Sequence, residues 1–293
     1  MVFLILREQL GNQLFQWASA FAISLKWKCP LNIITTNYGR TGTYMYLRLF
    51  PVSARFLSPW PGLLSRKLLR RELWELQKYD AIVGDWNPEW EPAIDNCLFR
   101  RLFAEEPKRT LLDGMFQSWM YFHECREDIR RELSLCGDVV RRYADGDWLR
   151  QINASESVSL HIRRTDYLVP GNREKFAVCS QEYYWRCVDE CRRSLEKPVF
   201  FVFSDDIDWA RSVFVGREFR FVSSTEFRKV NISDFVLMAN CRHHIISNSS
   251  FSWWASYAGV DSHCVLMPDR WFNDDTAPIE LKRPPGWTLV PVD

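Results

Sequence analysis

Pro198-Val199-Phe200-Phe201-Val202-Phe203 is an unbroken apolar run of strand length that stops at Ser204-Asp205-Asp206, and a helical pattern from Ile207 to Phe214 follows at once. A strand without polar alternation is buried on both faces, which marks a parallel sheet covered by helices. The design recurs on either side in the chain. Ser157-Val158-Ser159-Leu160-His161-Ile162 leads into Arg163-Arg164-Thr165-Asp166-Tyr167, and His243-His244-Ile245-Ile246 leads into Ser247-Asn248-Ser249-Ser250. A short helical stretch, Phe251 to Tyr257, then closes at Gly259. Strands and helices alternating in this way build a doubly wound α/β sheet. Ligands of such sheets sit beyond the carboxyl ends of the strands, so three strands deliver polar residues to one place.

Those residues suit a phosphate. Arginine offers a planar fork of donors matched to phosphate oxygens, and side chains alternate along extended backbone. At least one of Arg163 and Arg164 therefore points into the crevice, and the other ties the loop down; a surface salt-bridge cluster is the competing account. The helix start at Asn248-Ser249-Ser250 presents unpaired N–H groups and a positive dipole end to a diphosphate, or is a plain cap. Asp205-Asp206 also has the pattern of a Mg²⁺ or Mn²⁺ site, but two arginines make an ion redundant, and no metal is expected.

Further blocks stand at Leu10-Gly11-Asn12-Gln13-Leu14-Phe15-Gln16, Gly114-Met115-Phe116-Gln117-Ser118 and Cys179-Ser180-Gln181-Glu182-Tyr183-Tyr184. Taken in order with His161 to Tyr167, Phe203 to Asp206 and His243 to Trp254, they make the chain resemble the bacterial α-1,2-fucosyltransferases, which move L-fucose from GDP-fucose to galactose-containing glycans. The resemblance implies an α/β protein of two Rossmann-like domains facing across a cleft, the GT-B type, with acceptor on the first and nucleotide sugar on the second. It implies an inverting, metal-independent galactoside 2-α-L-fucosyltransferase without cofactor, whose partners are GDP-fucose and a galactose-terminated oligosaccharide or lipid-linked glycan.

The donor residues are then His161, Arg163, Arg164, Asp205, Asp206, Asn248, Ser249 and Ser250, with His161 and Asp205 resembling the family's guanine contacts. His161 reads equally as a core histidine. Arg163 is the candidate catalytic cation, meeting the charge that develops on the β-phosphate. Asp166 is the candidate general base, or merely orients an arginine. Asn12, Gln13 and Gln117 are candidates for the acceptor side or the cleft, or are helix caps. Two departures stand out. The family usually opens Gly-Gly-Leu-Gly-Asn-Gln, where this chain has Glu8-Gln9-Leu10-Gly11-Asn12-Gln13. It usually carries Gly before the aspartate of the arginine motif, where Thr165 stands here, as in the related α-1,6-fucosyltransferases. A fucosyltransferase of another linkage, or a non-catalytic nucleotide-sugar or glycan-binding module, is the alternative.

Composition is consistent with this. A chain of 293 residues, 47% hydrophobic and 15% aromatic, is long enough for two cores. Its 38 basic and 37 acidic side chains leave a net charge of +1, which argues against nucleic acid as a partner. Leu63 to Tyr79 sets Arg66, Lys67, Arg70 and Arg71 among leucines at helical spacing: a solvated face over a core stripe, or a basic helix on an anionic membrane. No apolar stretch reaches the ~18 to 20 residues of a span, and Met1 to Arg7 is too short for a signal peptide. Nine cysteines, an odd number without Cys-x-x-Cys, fit reduced thiols and a cytoplasmic protein, free or peripheral at the inner membrane. Cys187 and Cys191 share a helix face, where thiols pack more often than they bind metal. The absence of Gly-x-Gly-x-x-Gly disfavours a dehydrogenase. The sequons at Asn153, Asn231 and Asn248 are chance matches in such a chain, and Trp253-Trp254 either packs behind the nucleotide loop or stacks on sugar.

The pattern splits near residue 150. Strand Val2 to Leu6, a helix from about Asn12 to Lys26 and strand Leu31 to Ile34 open a first domain, 1–152, and helical patterns over Glu124 to Leu135 and Gly137 to Gln151 close it. Asn153-Ala154-Ser155 reads as the linker to a second domain, 153–293, which ends past strand Cys264 to Met267.

Overall fold

The structure, a computed structural model, describes residues 1–35, 44–57, 79, 81–85, 104–106, 109–135, 137–222, 232–260, 264–273 and 278–292. The basic stretch 63–78 and Asn231 lie outside them. The chain forms two compact units, Met1–Glu132 and Leu133–Asp293.

The first unit is built on β1 (Val2–Ile5), β2 (Leu31–Ile34), β3 (Arg55–Leu57), β4 (Ala81–Asp85) and β5 (Thr110–Gly114), all parallel in the order β3-β2-β1-β5-β4. Helix α1 (Leu10–Lys26) is buried continuously from Gln13 to Ile23, because its apolar residues run almost all round it. Leu14 and Trp17 are fully buried there, each such side chain worth about 1.5–3 kcal/mol of burial. Helix α2 (Arg126–Leu133) spans the boundary between the two units at its last residue.

The second unit opens with α3 (Asp138–Tyr143) and α4 (Gly146–Asn153). A single helical pattern over 137–151 becomes two helices because the Asp145 carboxylate accepts from the N–H groups of Asp147 at 2.9 Å and Trp148 at 3.2 Å, starting a new N-terminus. Both helices belong here rather than with the first 152 residues: α4 packs on β6 (Glu156–Ile162), and α3 on α7 (Ile232–Ala239). The sheet continues with β7 (Pro198–Ser204), β8 (Phe219–Phe221), β9 (His243–Ile245), β10 (Cys264–Pro268) and β11 (Thr288–Val290). Helices α5 (Gln181–Ser194), α6 (Ile207–Val213) and α8 (Ser250–Ala258) connect them. All strands are parallel, in the order β11-β10-β9-β6-β7-β8.

Alternation on β6 divides its two buried faces. Val158, Leu160 and Ile162 join Phe200, Val202, Tyr183, Cys187 and Cys191 in one apolar core. Burial pushes the Cys191 thiol up to about 12, so Cys187 and Cys191 pack as apolar side chains. The seven described cysteines are all free thiols. On the opposite face, Ser159 pairs with His244 at 2.8 Å and His161 with Ser247 at 2.9 Å, so a row of polar groups is buried without loss of hydrogen bonds. Gly259 serves packing rather than a left-handed turn. Its φ is −66°, but a Cβ there would lie 2.6 Å from the carbonyl oxygens of Ala239 and Ala255.

Candidate active site

In the second unit the chain adds β7 and β8 on one side of β6, then returns to add β9, β10 and β11 on the other. This is the Rossmann order, and its crevice opens where the direction reverses, beyond the carboxyl ends of β6 and β9. The register aligns Ile162 with Ser204 and Leu160 with Ile245, so the segments starting at Arg163, Asp205 and Ile246 leave the sheet side by side.

The two arginines have different jobs. Arg164 is the tie: its guanidinium lies 3.9 Å over the Trp209 ring and donates to Asp206 at 3.4 Å. Asp206 also caps α6, accepting from the Trp209 N–H at 3.3 Å. Asp205 gathers the loop, accepting from the N–H groups of Arg164 at 2.9 Å and Thr165 at 3.2 Å and from the Thr165 hydroxyl at 2.7 Å. Thr165, where the resembling family has glycine, is thus a side-chain anchor. Arg163 donates through Nη2 to Asp166 Oδ2 at 2.6 Å and sets Nε 3.5 Å from Asp205; Nη1 takes part in neither contact. Burial works against the Arg163 charge, but Asp166 first and Asp205 second outweigh it and raise the pKa, so the cation is permanent. The Asp166 Oδ1 is buried and has no partner among the described residues.

Across the crevice, the Asn248 side chain turns inward, donating to the Trp271 carbonyl at 2.9 Å and accepting from the Cys179 thiol at 3.8 Å. That amide is wholly buried and closed to glycosylation. The Asn248 carbonyl accepts from the Tyr167 hydroxyl at 2.9 Å, pinning the arginine loop to the start of α8. Ser249 caps that helix, accepting from the Phe251 N–H at 3.4 Å, and half-buried Ser250 begins it. Trp253 and Trp254 are fully buried, Trp253 stacked on Tyr257 and donating to the Lys282 carbonyl at 2.6 Å, so the pair packs behind the loop. Among the described residues no group of three or more His, Cys, Asp or Glu side chains is placed to hold a metal ion.

His161 and His244 are held neutral. Burial first, then the charge of Arg163 on His161 and of His243 on His244, lowers each from 6.5 to about 3. Between those values the unfolded chain binds protons that the folded chain refuses, so stability falls as pH drops from 6.5 towards 3. The slope is about 1.4 kcal/mol per pH unit for each histidine. Urea unfolding followed from about pH 6.5 to 4.5 measures it. His244→Gln, which keeps a partner for Ser159, removes about half of the histidine slope; an unchanged slope would refute the assignment.

In the first unit, Asn12 and Gln117 come together: the Gln117 amide donates to Asn12 Oδ1 at 2.6 Å. Gln13 is spent within the fold, donating to the carbonyls of Glu8 and Tyr44 and accepting from the Leu47 N–H. Beside the pair, Arg7 and Asp113 join β1 to β5 through two hydrogen bonds of 3.1 and 3.2 Å. Glu8 at φ 66° and Phe116 at φ 49° hold left-handed backbone, which costs a non-glycine residue about 1–2 kcal/mol. No helix among the described residues is long and apolar enough to cross a membrane.

Sequence reasoning did not single out Tyr167, Trp209 and Ser247. Trp209 follows Asp206 by three residues, a spacing that any capped helix could show, so nothing in it announced a platform for Arg164.

Comparison with known proteins adds a direct line. The model of glycosyl transferase family 11 matches residues 99–290. An alpha-1,2-colitosyltransferase of Escherichia coli is 27% identical over 90% of this chain and 90% of its own length. Galactoside alpha-(1,2)-fucosyltransferase 1 of Saimiri sciureus is 34% identical over 62% of this chain and 52% of its own. Among solved structures, fucosyltransferase NodZ from Bradyrhizobium aligns with 86% of this chain and 92% of its own at a TM-score of 0.47 and 16% identity.

Proposed function

This chain belongs to glycosyl transferase family 11, and on that premise we propose that it moves L-fucose from GDP-β-L-fucose to the 2-hydroxyl of a terminal galactose, with inversion and without a metal ion. One observation carries the reading: at the switch point of a Rossmann sheet, a permanently charged Arg163 is held between two carboxylates, next to the capped start of α8. As the C1–oxygen bond of the donor breaks, negative charge gathers on the β-phosphate while the sugar becomes oxocarbenium-like. Arg163 meets that charge from a fixed position, and the first N–H groups of α8 supply a second. Asp166, a partly exposed carboxylate that accepts one hydrogen bond from Arg163 through Oδ2, takes the proton of the attacking hydroxyl as its bond to C1 forms.

His161 remains neutral beside this charge, and Asp205 and Asp206 fix the loop that presents it. The linkage follows the α-1,2 relatives, and the colitosyl relative makes a nucleotide-activated colitose the second donor to test. The test incubates the chain with each donor and with lactose, N-acetyllactosamine or galactosyl-N-acetylgalactosamine, with and without EDTA, and assigns the product linkage by NMR. An α-1,2-fucosylated product formed equally in EDTA is expected. Activity lost in EDTA and restored by Mn²⁺ would overturn the metal-free mechanism, and a 1,6 linkage would overturn the acceptor position.

A further inference from the structure

Arg163 and the start of α8 follow different strands, yet transfer requires both to meet one phosphate. Their spacing is set by whatever joins the loop after β6 to the turn after β9. Two side-chain bonds that do so bracket the arginine segment. Before it, His161 pairs with Ser247 at 2.9 Å; after it, the Tyr167 hydroxyl donates to the Asn248 carbonyl at 2.9 Å. The receiving turn is tight, because the Ser249 N–H donates back to the Ser247 carbonyl at 2.8 Å and the Ser249 side chain caps α8. The Tyr167 ring is held by its own contacts. It lies 4.6 Å from the Phe176 ring and within 4° of parallel, and Phe176 in turn meets Phe272 at 5.5 Å. The ring is thus fixed by stacking, and the hydroxyl alone makes the bond to the turn before α8.

We propose that Tyr167 is a positioning residue for transfer: its hydroxyl fixes the gap between the Arg163 guanidinium and the first N–H groups of α8, so that both reach the β-phosphate as its charge develops. The proposal rests on the fucosyltransferase reading above. Slack between two donors costs most where the phosphate is most charged, which is after the sugar has left. GDP carries that charge in full and reports the slack without any acceptor.

The test compares the full chain with its Tyr167→Phe and Tyr183→Phe variants. The Tyr183 hydroxyl donates to the Ile246 carbonyl at 2.5 Å, so its loss deletes a bond of the same kind between α5 and the residue after β9. Both variants melt about 2–4 °C lower. In Tyr167→Phe, kcat for acceptor-independent hydrolysis of GDP-fucose falls about tenfold and GDP binds about tenfold more weakly by calorimetry, while KM for GDP-fucose stays within about threefold. In Tyr183→Phe all three stay within about threefold. A hydrolysis kcat or a GDP affinity within about threefold of wild type in Tyr167→Phe, or equal losses in the two variants, would overturn the role of Tyr167 alone. Wild-type chain that binds no GDP, or leaves GDP-fucose intact, would remove the fucosyltransferase reading, and this proposal with it.

Discussion

Replacing Arg163 by lysine lowers kcat about 10²- to 10³-fold at saturating donor and acceptor, although the formal charge is unchanged. A guanidinium spends Nη2 on Asp166 and turns Nε towards Asp205, and still has Nη1 for a phosphate oxygen. A lysine ammonium is a single point on a flexible stem, and in reaching either carboxylate it leaves the phosphate. Arg164→Lys is the control. The loop's grip on Asp205 runs through the backbone N–H of residue 164 and survives; only the contact with Trp209 and the pair with Asp206 are lost. That change costs about 10- to 30-fold and falls on donor KM, the range of a cation–π contact whose arginine is only 20% exposed. Equal losses in the two variants, or Arg163→Lys with more than about half of wild-type turnover, would remove Arg163 from the chemistry.

The division of labour between the arginines shows where sequence stops being informative. Unbroken apolar strands and the helix starts after them marked the second sheet, because burial on both faces leaves a compositional trace that needs no structure to see. Period-two reasoning required that at least one arginine face the crevice; that Arg164 is the tie rests on Trp209, a contact made from the neighbouring strand's helix. Asp205 carried the right charge for base recognition and the Asp205-Asp206 pair for a metal; the register sets both beside the arginine loop, where Asp205 accepts from backbone N–H groups and Asp206 pairs with Arg164. Gln13 looked as available as Asn12, but one helical position turns it inward to Tyr44 and Leu47. Strands β3, β8 and β11 have three residues each, too few for any period to emerge. Glu8 was visible as a departure from a glycine, and only its backbone angle says what that departure costs.

Asp166→Asn separates a base from an orienting group, because the substitution keeps an oxygen that can accept from Arg163 and removes only the ability to take a proton. If Asp166 is the base, transfer to a galactoside falls about 10²- to 10⁴-fold, while acceptor-independent hydrolysis of GDP-fucose, which needs the cation but not this proton transfer, changes by less than about threefold. If it only holds Arg163, the weaker neutral hydrogen bond loosens the guanidinium and both reactions fall together. The first outcome is expected because the Asp166 carboxylate has more acceptor capacity than Arg163 uses and a side chain that is 45% exposed: Oδ2 receives Nη2 at 2.6 Å and can accept a second donor. Measured on one preparation with the same donor, the ratio of transfer to hydrolysis reads this difference directly; a ratio equal to wild type with both rates reduced would leave Asp166 a positioning residue and require the base to be sought elsewhere.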